Sequence, residues 1–525
     1  MILYNGRIYT ANPQQPLVSA LHIHDGYIVA TGDDHSILTE TNNDERIDLK
    51  GKTVLPGLVD SHIHLVYYSR FLQQVDCETD SRQECTQRVA ERARNLKPGK
   101  WLLGHGWNHN TWEEGYGSKT DLDRACPENP VFLTHKALHS AWVNTIALRI
   151  CNITAETPDP KGGKILRDSS GEPTGILLES AVRLVEKYIP PPTVDEIAEM
   201  ILNAQSKLWQ YGITGVHDFD GVECFAALQI LEDREQLRLR ILKGLPFETI
   251  DHAIALGLRT GFGSSYLQIG AVKLFADGAL GAQTAAMLEP YKGSANNMGM
   301  LLLDSEQIIS IGKKAVANGL SLAIHAIGDR SNREVLNALR EIRDFEKANQ
   351  IPPMRHRIEH VQCLSPQDID RPAVYNVIAS MQPLHATSDM DIAEQHWGAR
   401  CQHAYAWNTL LARGTRLIFG SDAPVELPNP FLGIHAAVTR RRPDGTPGSE
   451  GWYPDQRISL HQALLSYTHA PAYAANRENH LGQLQSGYLA DLILLEADPF
   501  LIPAQELVNV KPCATMVGGK WVWQT

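Results

Sequence analysis

Both ends of the chain have the pattern of short β-strands, in which apolar and polar residues alternate over brief stretches. Near the N-terminus, Asn5-Gly6 and Asp25-Gly26 each stand between two such runs, and these dipeptides are typical of tight hairpin turns. Residues 490–523 have the same character. Because each end is too short for a hydrophobic core of its own, we predict that 1–56 and 475–525 pack together as one small composite β-sandwich.

Between the two ends, short runs rich in β-branched residues alternate with longer amphipathic stretches, of which 193–211 and 305–318 are predicted helices. Eight strands that alternate with helices predict an α/β fold, a parallel (β/α)8 TIM barrel, here over 57–474. The predicted strands are 53–60, 101–104, 212–217, 268–275, 321–325, 355–359, 377–381 and 417–420.

The stretch 67–192 is too long for one strand-to-helix connection of such a barrel. It is rich in Trp, His, Gly and Pro. We expect it to be an insertion over the active-site face, because barrel enzymes build their sites from the loops at the carboxyl ends of the strands.

Composition and charge narrow the functional classes. With 43% hydrophobic and 21% charged residues over 525 positions, the chain is typical of a soluble globular protein, and its net charge of -12 argues against nucleic-acid and membrane partners. The eight cysteines form no Cys-x-x-Cys motif, and the N-terminus has no signal-peptide pattern, so we expect reduced thiols and a cytoplasmic location. The expected partner is a small molecule, and the expected assembly is a homodimer.

The sequence Val54-Leu-Pro-Gly-Leu-Val-Asp-Ser-His62-Ile-His64 is an apolar strand that ends in two histidines. Side chains two positions apart on a strand point the same way, so His62 and His64 can present two imidazoles to one metal ion. The pair His22 and His24 has the same spacing, but it lies in a predicted hairpin, where solvent-facing histidines are the ordinary explanation.

Four further strand ends carry groups that suit a metal centre: Lys273, His325, His360 and Asp422. Any one of them alone would be explained as a cap, a hydrogen-bonded core residue or a lysine that reaches water. Together with His62 they predict a binuclear site, most readily for Zn²⁺, with Mn²⁺, Fe²⁺ or Ni²⁺ as alternatives. Two such ions need an anionic bridge, which Lys273 provides only if its buried amine is neutral and carbamylated by CO₂. The predicted ligands are His62, His64 and Asp422 for one ion and His325 and His360 for the other.

Five motifs, "PGLVDSHIH", "VKLFADG", "AIHAIGD", "RIEH" and "FGSDAP", resemble those of the metal-dependent amidohydrolase superfamily. The stretches "GHGWNHNTW", "GEPTGILLESA" and "DGALGAQTAAMLEPY" are similar to the amidohydrolase family 3 branch that contains N-substituted formamide deformylases. The resemblance covers nearly the whole chain, and it implies the same six metal ligands, with Lys273 as the carbamate.

The chemistry that the resemblance implies is hydrolysis of a non-peptide carbon–nitrogen bond in an amide-type substrate, such as an N-substituted formamide, by a metal-bound hydroxide. We expect Asp422 to be the general base and His139 to polarise the carbonyl. The alternatives are a deaminase, a cyclic amidase, a lactonase, or a non-catalytic metal-binding regulatory relative. The residues expected to contact substrate are Trp107, Asn108, Trp112, Trp142 and His385.

Overall fold

The computed structural model describes residues 1–40, 44–137 and 139–525. The chain divides into two compact units: Met1–Tyr68 together with Ile197–Thr525, and Ser69–Glu196. No helix in the described part of the chain is long and apolar enough to cross a membrane. The domain limits given above stay predictions.

Eight parallel strands form a nearly closed barrel in the first unit. The last strand meets the first where Ile63 pairs with Ala423 and where the amide of Asp422 donates to the carbonyl of His62 at 2.7 Å. The predicted (β/α)8 barrel is therefore confirmed. Its strands, β1 to β8 in chain order, are Leu58–Ile63, Ile213–Asp218, Arg240–Pro246, Leu267–Phe275, Leu322–Ala326, Arg357–His360, Ile378–Met381 and Leu417–Phe419.

One of the eight predicted barrel strands is not part of the barrel, and one strand of the barrel was not predicted. The stretch 101–104 belongs to the strand Leu102–Trp107, which lies in the sheet of the second unit. The third barrel strand is instead β3, whose Arg240 and Lys243 interrupt the apolar pattern on which the prediction depended. Both cations are buried because each has a carboxylate partner in the folded protein, which the local sequence does not reveal.

The two predicted helices are confirmed as Val194–Gln210 and Ser305–Ala317. The second begins at a capping box, in which Asp304 accepts a hydrogen bond from the backbone of Gln307 and the side chain of Gln307 bonds back to the backbone of Asp304. The other α-helices of the first unit include Asp34–Glu40, Val222–Asp233, Ile250–Ala255, Asp329–Ala348, Arg371–Val374, Pro383–Ser388, Met390–His396, Trp407–Ala412, Pro430–Thr439, Leu460–Tyr467 and His469–Ala474.

The ends of the chain form two further sheets that share one apolar core, as the terminal patterns predict. Leu3 and Leu21 of the smaller sheet lie in the same buried cluster as Val54, Leu492 and Met516 of the larger one. The smaller sheet contains Ile2–Tyr4, Ala20–His24, Tyr27–Gly32 and Arg46–Asp48; the larger contains Arg7–Tyr9, Leu17–Val18, Thr53–Pro56, Leu492–Leu495, Pro512–Val517 and Lys520–Gln524. The predicted strand 53–60 thus divides between the larger sheet and the barrel.

The two N-terminal turns differ from each other. Asp25-Gly26 joins two antiparallel strands with positive φ at both residues, 48° and 83°, as a tight hairpin requires. Asn5-Gly6 makes no hairpin, because the strands on either side of it belong to different sheets. The dipeptide alone predicts that the chain reverses direction. Which strand each segment pairs with depends instead on which apolar side chains can be buried together.

The second unit contains a mixed six-stranded sheet. Its apolar side chains form two buried clusters, and Trp107 and Trp142 lie in one of them. The strands are Val75–Asp76, Leu102–Trp107, Val131–His135, Ser140–Val143, Gly163–Arg167 and Pro173–Glu179, and the helices include Arg82–Ala93, Lys119–Ala125, Thr145–Ile150 and Arg183–Glu186.

Gly420, directly after β8, packs against residues of β1. A Cβ atom there would stand 2.4 Å from the amide nitrogen of His62 and 2.7 Å from Oδ1 of Asp60, so Gly420→Ala must push the two strands apart. We expect this substitution to lower the free energy of unfolding by about 1–3 kcal/mol, measured by denaturant titration. In Gly281→Ala, where no atom lies within 4 Å of the new Cβ, the change should be within about 0.5 kcal/mol. Equal stability of the two variants would contradict this account of barrel closure.

Candidate metal centre

All six predicted ligands lie in the first unit, at the carboxyl ends of barrel strands. The carboxyl ends of parallel strands meet at the same end of a barrel, which is why residues far apart in sequence come together there. His62, Lys273, His325 and His360 are in β1, β4, β5 and β6, His64 follows β1, and Asp422 follows β8.

Three of these residues form a compact cluster. Ligand-competent atoms of His62, His360 and Asp422 all lie within 4.8 Å of one another. His64 adjoins the cluster, since its Nε2 is 3.4 Å from Oδ1 of Asp422, and Nε2 of His62 is 3.5 Å from the same oxygen. Two imidazoles and a carboxylate at this spacing are a donor set that suits Zn²⁺ and other divalent ions.

His325 and Lys273 stand beside this cluster. The ring of His325 is 4.5 Å from that of His360, but its Nε2 lies 3.0 Å from the backbone oxygen of Gly278. The buried amine of Lys273 lies over the rings of Phe219 and Phe275, and within the described residues no carboxylate comes within 4.0 Å of it. Burial lowers the pKa of Lys273 to about 8, which raises the neutral fraction of this amine.

The orientation of three imidazoles fits a metal ion. Each ring places Nδ1 against an oxygen atom of another strand or loop, and an Nδ1–H that donates to oxygen leaves the lone pair of Nε2 available. The contacts are His62 Nδ1 to Glu359 Oε2 at 2.6 Å, His64 Nδ1 to Asp220 Oδ1 at 3.1 Å, and His360 Nδ1 to Gln382 Oε1 at 2.9 Å. The residues present therefore fit the divalent ion that the sequence predicts.

Charge and burial in the cluster favour an ionised Asp422 and neutral rings at His62 and His360. Burial alone would raise the pKa of Asp422, but the surrounding histidines, His62 first among them, hold it well below its usual range. Burial and the nearby amine of Lys273 lower the pKa of His62 to about 4. An anionic carboxylate beside neutral imidazoles is the protonation state that metal binding requires.

Glu359 is held in place by a buried cation. Arg357 Nη2 donates to Oε2 of Glu359 at 2.9 Å, to Oγ of Ser380 at 2.7 Å and to the carbonyl of Ser61 at 2.6 Å. Although burial acts in the opposite direction, Arg357 and His62 hold the pKa of Glu359 well below its usual range. Glu359 is therefore a fixed anion that orients His62.

His64 has a different environment from His62. Its burial is more than offset by hydrogen bonds to Asp220 and Asp422, which raise the pKa of His64 to about 9. Asp220 accepts a further hydrogen bond from the backbone of Val66 at 2.5 Å. Neither Asp220 nor Gln382 was among the predicted residues, although Asp220 closely follows β2 in "VHDFDG" and so repeats the strand-end pattern of the other sites.

The backbone at the cluster is unusual for residues with side chains. His360, Val361 and Asp422 have φ of 76°, 45° and 60°, in the left-handed region that favours glycine. Such conformations persist only where the surroundings hold them, and they concentrate at functional sites. Here the amides of Val361 and Asp422 donate to the carbonyls of Ala326 and His62.

The remaining predicted residues fall in two places. His385 lies in the first unit, with Nε2 3.9 Å from Oδ2 of Asp422. In the second unit, Trp107, Trp112 and Trp142 are buried against one another, and each indole N–H donates to a backbone carbonyl. The side chain of His139 is 73% exposed with Nδ1 3.1 Å from Glu179, and Asn108 accepts from the backbone of Asn110 at 3.1 Å. The roles in catalysis and substrate binding stay predictions.

The fold and this cluster define a TIM-barrel protein with a candidate divalent-metal centre at the carboxyl ends of its strands. A family model described as the amidohydrolase family matches residues 45–523. The chain therefore belongs to the amidohydrolase family, a family of metal-dependent hydrolases, and the resemblance drawn from its motifs is confirmed.

Individual relatives agree over nearly their full lengths. The chain is 32% identical to Protein LONG AFTER FAR-RED 3 of Arabidopsis thaliana, covering 100% of this chain and 91% of that protein. It is 26% identical to the N-substituted formamide deformylase of Arthrobacter pascens, covering 99% and 97%. Among solved structures, an uncharacterized metal-dependent hydrolase from Pyrococcus furiosus is 31% identical with a TM-score of 0.77, covering 95% of this chain and 99% of that one.

Proposed function

We propose that this protein hydrolyses a carbon–nitrogen bond of a non-peptide, amide-type substrate, such as an N-substituted formamide. The observation that carries the proposal is the carboxylate of Asp422, held ionised among the imidazoles of His62, His64 and His360. The similarity to the Arthrobacter deformylase supports an amide as the substrate class.

We further propose that His62, His64 and Asp422 hold one divalent ion and that His325 and His360 hold a second, with a carbamylated Lys273 between them. Zn²⁺ is the ion that this set of nitrogen and oxygen donors favours. The amine of Lys273 is buried against two aromatic rings and, in the part of the chain that the structure describes, has no carboxylate within 4.0 Å, which supports a bridging role for this residue after it reacts with CO₂. Such ions supply Lewis acidity, which polarises the substrate carbonyl and makes a nearby water acidic.

The protein's own groups then move the proton. Asp422, ionised and in contact with His62 and His64, accepts a proton from the attacking water and delivers it to the departing nitrogen. The C–O bond forms as the water adds to the carbonyl, and the C–N bond breaks as the protonated amine leaves. Glu359 and Asp220 keep the rings of His62 and His64 in orientation throughout.

The second candidate function is that of a metal-binding protein without catalytic activity. One observation favours it: the name of the Arabidopsis relative describes no reaction. Loss of a ligand would be expected in such a protein, whereas this chain retains all six. A screen of zinc-loaded protein against formanilides, other amides, cyclic ureas and lactones separates these functions. Release of 4-nitroaniline from 4-nitroformanilide supports the proposal, and turnover of lactones alone or of no substrate contradicts it.

Replacing Lys273 with alanine should remove the bridge and lower the metal content from about two equivalents to about one. The measurement is metal stoichiometry by atomic emission on protein purified without chelator. Acetate should restore part of the lost metal and activity, because it can supply a bridging carboxylate, whereas methylammonium should not. A variant that keeps two ions and full turnover would contradict the bridging role.

A further inference from the structure

We infer that His385 is a catalytic residue that donates a hydrogen bond to the substrate oxygen and binds no metal, an inference that rests on the proposed function. His385 lies in the helix Pro383–Ser388, which directly follows β7 and Gln382. Its side chain is buried, and its Nε2 has no hydrogen-bond partner among the described residues. This nitrogen lies 3.9 Å from Oδ2 of Asp422, too far for a hydrogen bond, so it is available to a ligand beside that carboxylate.

The partner of Nδ1 distinguishes His385 from the predicted ligands. Nδ1 of His385 lies 3.3 Å from Nε2 of Gln362, an amide nitrogen that can only donate. With this amide nitrogen facing it, Nδ1 accepts, and Nε2 is the ring nitrogen that carries a proton. In His62, His64 and His360 the partner of Nδ1 is instead an oxygen atom, which accepts from Nδ1. Nε2, on the opposite side of each of these rings, is the nitrogen whose lone pair can bind a metal ion. Gln362 is thus a positioning residue that makes His385 a hydrogen-bond donor.

The position of His385 fits that role. Its ring lies nearly parallel to that of His360, at an angle of 12° with 6.1 Å between centroids, so it borders the cluster without entering it. A fixed N–H in a buried site stabilises negative charge that develops on the carbonyl oxygen as water adds. Removing one such donor from a hydrolase typically costs about 10²–10³-fold in kcat.

The test compares His385→Phe, which keeps a flat ring without the N–H, with His385→Gln, which keeps a donor. Zinc stoichiometry should be equal in wild type and both variants, whereas His360→Phe should lose metal. Calorimetry with methylphosphonate, a tetrahedral oxyanion, should show Kd at least about tenfold higher in His385→Phe and closer to wild type in His385→Gln. The kcat for 4-nitroformanilide should follow the same order with a smaller change in KM.

Gln362→Met tests the positioning role, because it removes the amide that holds the tautomer. It should weaken methylphosphonate binding severalfold, and the double variant Gln362→Met/His385→Phe should bind no more weakly than His385→Phe alone. Loss of zinc from His385→Phe would show that His385 is a ligand and overturn the assignment. Equal binding of methylphosphonate by wild type and His385→Phe, or no binding by wild type, would overturn it whether or not any amide is hydrolysed. Failure of wild type in the amide screen overturns only the proposed function.

Discussion

Replacing Asp422 with asparagine should lower kcat for 4-nitroformanilide by about 10³-fold while leaving the zinc content nearly unchanged. The amide is close in size to the carboxylate and keeps an oxygen toward His62 and His64, but it cannot accept a proton from water. Because the proton that Asp422 takes up is the one that the leaving nitrogen needs, both formation of the C–O bond and loss of the amine slow down. The measurement is steady-state kinetics with metal analysis on the same preparations.

The matched control is Asp444→Asn, which changes a carboxylate in an exposed turn where Oδ1 accepts from the backbone of Thr446. Its kcat should equal that of wild type within twofold. If Asp422→Asn retained full activity with two bound ions, the assignment of the general base would be wrong. If it lost its zinc, the asparagine amide would be shown unable to replace the carboxylate as a metal ligand, and the kinetics would then not report on proton transfer.

Replacing Arg357 with methionine should lower the free energy of unfolding by about 3–5 kcal/mol, because it leaves Glu359 as a buried charge without its cation. The same change removes the donor to Ser61 of β1 and to Ser380 of β7, so these two strands lose a common partner in β6. Calorimetric unfolding of metal-free protein measures the effect without a contribution from the ion. His62 should also bind zinc more weakly, since Glu359 then has no fixed position.

Arg333→Met provides the comparison, since Arg333 also pairs with a carboxylate, Asp368, but its side chain is 29% exposed. Asp368 keeps a second cation, Arg371, at 2.7 Å, so no carboxylate is left alone. The loss should be about 1 kcal/mol or less. Similar unfolding temperatures for the two variants would show that burial of the Arg357–Glu359 pair does not increase its contribution to stability.

Local sequence patterns predicted most of the barrel but failed at β3. Seven of the predicted strands had apolar runs that local periodicity detects, whereas Arg240 and Lys243 made β3 look polar. Their burial depends on Asp491, more than two hundred residues away, and on Asp218 in the neighbouring strand. In the same way, 101–104 has the pattern of a strand, but the sheet that it joins is decided by which surfaces can be buried together.

The sequence by itself determined which residues could meet at the candidate metal centre. Histidines, a lysine and an aspartate at strand ends must come to the same end of a parallel barrel, so their convergence follows from periodicity and fold class. The tertiary structure alone decided what each imidazole can do. Because Glu359 and Gln382 accept from Nδ1 of His62 and His360, the lone pair of Nε2 in these rings is available to a metal ion. Gln362 donates to Nδ1 of His385, so in that ring Nε2 carries the proton instead. These partners come from other strands and loops, and hydrogen-bond direction between them depends on three-dimensional contacts that no local pattern encodes.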